Sequence, residues 1–237
     1  MSNGIASAFL VSALIVPVGG CEFGVASPPA PDPAVNATES PPPRARYGVD
    51  PGRNRVWFLT RDGVSVYDVA KSQRILVPLP SWLRVDMPYG RLPDLALGPG
   101  GEAVITSNVV PTLWRIDPET LAVSVHPLLL DSDRDKEVGF SGLVYSPEHE
   151  AFFAVSDVHG SLWRIDRGLE RARKIWLSAP VSNAFGLAVL PRILRRQIAR
   201  QAALCAFTPQ GGRTIDFEPG QRSAYVRAAP CADRGRA

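Results

Sequence analysis

Helical periodicity is almost missing from this sequence. Apart from residues 192–204, no stretch repeats its apolar residues at helical spacing. No apolar run reaches the ~20 residues that a membrane-crossing helix needs. Clustered Cys/His metal sets are missing too, with three Cys and three His in 237 residues. There is no Gly-rich phosphate loop. The stretch GFSGL is not a nucleophile elbow, because Leu143 stands where the last Gly belongs. In DSDRDKE, Asp131, Asp133 and Asp135 have the 1, 3, 5 spacing of a calcium loop. Lys136 and Gly142 replace its Gly and its closing Glu, so the segment reads as a solvated loop. A net charge of +3 is too small to argue for nucleic acid as a partner.

What is present begins with a targeting segment. Ile5 to Val18 is an apolar run of fourteen residues, the length of a secretory h-region. It ends in Val18, Gly19, Gly20 and Cys21, which resembles the lipobox of bacterial lipoproteins. The resemblance implies cleavage before Cys21, lipid on its thiol, and a membrane-anchored protein of the bacterial envelope, periplasmic or at the cell surface. The segment MSNG departs from that pattern, with no Lys or Arg, and leaves an ordinary cleaved signal or an uncleaved anchor as the alternative. Seven prolines between Pro28 and Pro43 then give a segment too poor in apolar residues to fold. It reads as an extended tether, so the expected organisation is a signal at 1–20, lipidated Cys and linker at 21–43, and a folded domain at 44–237. With Cys21 lipidated, Cys205 and Cys231 are left either as a disulfide or as two thiols.

From Arg44 the texture is short runs of Val, Ile, Leu, Phe and Trp between Gly, Pro, Asp and Asn clusters, which are strand and turn signals. LWRID occurs at 113–117 and again at 162–166. Its Asp has counterparts at Asp68 and Asp216, so a unit of about four strands is written four times, over roughly 46–80, 92–128, 140–177 and 184–230. A four-stranded repeat at this period predicts an all-β fold, a small β-propeller of about four blades. Each repeated Asp reads as a turn starter. The short units opening the blades are YGVDPG, PDLALGPG, SGLVYSP and FGLAVLP. Four blades close a ring, await a second copy, or belong to a truncated relative.

The pattern resembles the exported NHL and YVTN-type propellers over some four fifths of the chain, and more distantly the senescence-marker/gluconolactonase family. The nearer resemblance implies a binding or interaction platform, and the distant one a metal-dependent hydrolase. In the latter a divalent metal sits in the central channel on Glu, Asn and Asp; Asp94 and Asn183 match, and no Glu does. No other cofactor is expected. Blade connectors and the hairpins between second and third strands share one face, which would gather Trp82, Tyr89, Asp94, Asp157, His159 and Asn183 as ligand-binding candidates for a protein or small molecule. RILRRQIAR at 192–200 reads as a basic helical insertion, or as a helix lying on anionic lipid.

Overall fold

The computed structural model describes residues 46–85, 91–131, 139–156, 158–190, 202–217 and 222–227. The chain divides at Pro42/Pro43, and all described residues belong to the second unit. They contain seventeen strands and no helix. Blade 1 is β1 (Tyr47–Asp50), β2 (Arg55–Thr60), β3 (Gly63–Asp68) and β4 (Gln73–Val77). Blade 2 is β5 (Leu95–Leu97), β6 (Ala103–Thr106), β7 (Thr112–Ile116) and β8 (Val123–Pro127), followed by the short β9 (Leu129–Leu130). Blade 3 is β10 (Gly142–Ser146), β11 (Ala151–Val155), β12 (Leu162–Ile165) and β13 (Arg171–Leu177). Blade 4 is β14 (Gly186–Val189), β15 (Ala202–Thr208), β16 (Gly211–Phe217) and β17 (Ser223–Arg227). Within each blade, consecutive strands pair antiparallel in chain order. This is the four-bladed, all-β arrangement that the repeat predicts.

The repeated pentapeptide occupies the third strand of blades 2 and 3, and its neighbours explain its composition. Successive side chains of a strand point to opposite faces, and both faces of these blades are covered. Leu113 packs toward blade 3 while Trp114 packs toward blade 1. One blade on, Leu162 packs toward blade 4 while Trp163 packs toward blade 2. Adjacent large apolar residues are therefore both satisfied, which a one-sided sheet could not allow. Three apolar cores result, between blades 1 and 2, 2 and 3, and 3 and 4.

The turn-starting aspartates work as their chemistry predicts. Asp117 Oδ1 accepts the backbone N–H groups of Glu119 and Thr120 at 2.9 and 2.8 Å. Asp166 accepts those of Glu170 and Arg171, and Asp68 that of Lys71. Asp216 differs: it is buried and faces Arg227 Nε at 3.1 Å. The fourth blade departs further, because β17 also pairs in parallel with β13 of blade 3. Since β9 pairs with the other half of that edge, β13 is covered along much of its length. Of the 192–204 window, residues from Ala202 onward are strand, and the proposed helix 192–200 lies outside the described residues. Cys205 is buried on β15 and is disulfide-bonded. Its partner lies outside the described residues.

Candidate functional site

The first strand of each blade lies innermost, and β1, β5, β10 and β14 run side by side around the axis. Sheet register fixes which of their residues are equivalent. Tyr47, Leu95, Leu143 and Leu187 each sit opposite the corresponding second-strand residue, namely Phe58, Ile105, Ala154 and Ala206. The position just before them is Arg46, Asp94, Gly142 and Gly186. One cation, one anion and two glycines thus meet at one level of the axis. Crowding requires the glycine at 142. A Cβ on Gly142 would lie 3.0 Å from Gly186 Cα and 2.8 Å from Val155 Cγ1.

Arg46 and Asp94 fill the space that the glycines leave. Arg46 Nη1 stands 3.5 Å from Asp94 Oδ1. Its Nη2 donates to the carbonyl oxygens of Ser141, at 3.2 Å, and Phe185. Asp94 in turn accepts the N–H of Leu95 on Oδ1 and of Leu143 on Oδ2, both at 2.9 Å. A single ion pair from blades 1 and 2 therefore reaches groups at the inner edges of blades 3 and 4. Burial pushes the Asp94 carboxyl above its ordinary pKa, against the opposing pull of Arg46 and of the two backbone donors. YGVDPG suggests Gly48 for the blade 1 position; the register puts Arg46 there instead. Arg46 went unrecognised because it precedes the first apolar residue of its strand and has no counterpart of its own type.

Connectors and second-to-third-strand hairpins surround this centre on the same face. Residues 80–85 are pinned to the hairpin of blade 2. Trp82 Nε1 donates to Thr106 O at 3.0 Å, and Ser107 Oγ to Leu83 O at 2.5 Å. Asn108 donates to Val85 O and Arg91 O and accepts from Val85 N. The Arg84 guanidinium lies over the Trp82 ring, 5.4 Å from its centroid. On the other side, Val181 N donates to Gly160 O at 2.9 Å, joining the blade 3 hairpin to the next connector. That contact carries His159 and Asn183, both exposed, with Asn183 in the left-handed region at φ 59°.

Of the sequence-predicted candidates, Asp94 is buried at the axis, Trp82 is half-buried and bonded, and His159 and Asn183 are exposed at one side. Tyr89 and Asp157 lie outside the described residues, as do Cys21, Cys231 and residues 132–138 of the acidic loop. Asp131 is described, and its Oδ1 accepts Lys174 N at 2.8 Å. His126, on the outer strand of blade 2, bonds Ser124 through Nε2 at 2.8 Å, and burial lowers its pKa. A divalent metal of the gluconolactonase kind does not fit these residues. The Arg46 guanidinium stands 3.5 Å from Asp94 Oδ1, where a second cation would be repelled, and no described Glu completes the set. Among the described residues, no three His, Cys, Asp or Glu side chains gather as a metal site.

No protein-family model and no curated protein matches the chain. Solved structures match it in fold. Virginiamycin B lyase from Staphylococcus aureus superposes with a TM-score of 0.54 at 12% identity, over 81% of this chain and 57% of that one. Auxiliary nutrient binding proteins from Bacteroides thetaiotaomicron and Bacteroides ovatus both give 0.51 at 12% identity. They cover 76% and 74% of this chain, and 40% and 45% of their own. The chain is a β-propeller like these, and it spans about two to three fifths of their length.

Proposed function

We propose that the protein is an exported, lipid-anchored β-propeller that acts as a binding platform in the bacterial envelope. Lipid on Cys21 and a Cys205–Cys231 bridge belong to this reading, as does a protein or small-molecule ligand taken up on the connector face. One observation carries it. The connector and hairpin residues on this face are fixed to each other by side-chain-to-backbone bonds at blade 2 and a backbone bond at blade 3, while His159 and Asn183 stand exposed along its surface. Rigid scaffolds holding polar loop residues are what recognition by preformed sites requires. The nutrient-binding names of two fold neighbours agree with this reading. The hydrolase alternative loses ground at the axis, where Arg46 stands beside the expected metal ligand.

The platform is tested by thermal unfolding of the Cys21→Ser chain against a small-molecule panel. A ligand at ~100 times its Kd adds about 2.7 kcal/mol, a rise of roughly 5–10 °C at this size. A rise lost in His159→Ala/Asn183→Ala supports the connector face, and a rise that survives moves the site elsewhere. EDTA, calcium and zinc should leave the midpoint unchanged; a metal-dependent rise of several degrees would favour the hydrolase. Lipidation is read separately, from partition of the wild-type chain into a detergent phase and its loss in Cys21→Ser.

A further inference from the structure

The four described blades have three apolar cores between them, so among the described residues one blade face at each end of the arc has no blade against it. On blade 1 that face is formed by alternate residues of all four strands, and register aligns Tyr47, Phe58, Ser65 and Leu76 across it, with Val49, Val56, Tyr67 and Arg74 in the next row. The equivalent faces of blades 2, 3 and 4 carry Trp114 and Ile116, Trp163 and Ile165, and Ile215, each packed in the core shared with the preceding blade. Blade 1 instead leaves Tyr47 60%, Val49 55%, Leu76 51%, and Phe58 and Tyr67 each 37% exposed. Tyr47 and Phe58 are in ring contact at 6.3 Å. Among the described residues the face contains no carboxylate, and its one cation, Arg74, donates from Nε to Ser65 Oγ at 2.6 Å.

We propose that this face is the interface between two copies of the chain, packed blade 1 on blade 1 about a two-fold axis. Three aromatics of ~150–250 Å² each, partly exposed, with Val49 and Leu76, present roughly 400–500 Å² of mostly apolar surface. That is as large as the largest patch a monomer ordinarily leaves in water. With the flanking Val56, Thr60 and Arg74 included, two copies hide roughly 1,200 Å², the lower bound of a stable interface. Aligned packing of two twisted sheets at ~10 Å separation accommodates such a face on itself. The outward face of blade 4 is a poorer match. Its Cys205, Thr214 and Asp216 are already buried within the chain and offer little free surface.

Sedimentation velocity on the full chain carrying Cys21→Ser decides the matter, because that change removes lipid-driven association. The expected result is a species of twice the chain mass at micromolar concentration. Val49→Lys/Leu76→Lys should give a monomer with an unchanged β-sheet spectrum and melting midpoint, while Val125→Lys, on the outer strand of blade 2, stays dimeric. Should the double variant fail to fold, Tyr47→Glu, at the most exposed of the five positions, carries the same test. A wild-type monomer throughout, or a dimer that survives these blade 1 variants, overturns the proposal.

Discussion

Arg46 and Asp94 are exposed by only 16% and 9% at their side chains, so most of their stabilisation comes from each other and from backbone groups. Removing one partner of a buried pair leaves an uncompensated charge, which costs about 3–5 kcal/mol. Arg46→Met, which keeps much of the volume, is expected to lower the melting midpoint by on the order of 10 °C. The pH dependence has a definite sign. Asp94 binds its proton more tightly folded than unfolded, so acid favours the folded state through this group, and the advantage is lost as pH rises through the raised pKa. The Arg46→Met deficit should therefore shrink on acidification, and a deficit that grows would contradict the buried-carboxylate account. Asp68 and Asp117 behave oppositely. Backbone donors in their turns hold both carboxyls below the ordinary value, so their contribution is present above that value and lost as pH falls through the lowered one. Asp117→Asn should flatten the acid limb of a melting profile taken between about pH 5 and pH 2.

Strands differ in how much each large residue matters, because burial depends on which blade lies against it. Trp163 and Trp176 belong to adjacent strands of blade 3. The first is fully buried between blades 2 and 3, whereas the second is 54% exposed beneath Lys174. Trp163→Ala should cost about 3–5 kcal/mol in urea unfolding, and Trp176→Ala no more than ~1 kcal/mol. Equal losses would mean that the blade interfaces do not dominate stability. Gly142→Ala tests the inner strands. Its new methyl must push against Gly186 backbone, so a loss of about 1–3 kcal/mol is expected by the same measurement. The repeat made these strands legible: LWRID, its aspartates and the alternating turns all sit where the pattern puts them. Blade 4 was harder to read, since Gly212 and Arg213 replace Leu-Trp and its outer strand pairs with a neighbouring blade, a contact that no local pattern encodes.

At the scale of the whole molecule, Cys205 ties the last blade covalently to a segment beyond the described residues. Proteolytic mapping without reductant should recover its peptide joined to that of Cys231, and reduction should cost roughly 3 kcal/mol for a loop of this length. Recovery with Cys21 would overturn both the bridge and the lipid on that thiol. The sequence by itself determined the blade count, the strand order and the turn chemistry, because these depend on alternation and on Gly, Pro and Asp at fixed offsets. Tertiary structure alone decided three things. It set Arg46 against Asp94 over two glycines, paired β17 with β13 across blades 3 and 4, and left one face of blade 1 in water. The physical reason is shared. Each depends on which blades meet around the axis, and residues 48 positions apart are brought together only by that packing.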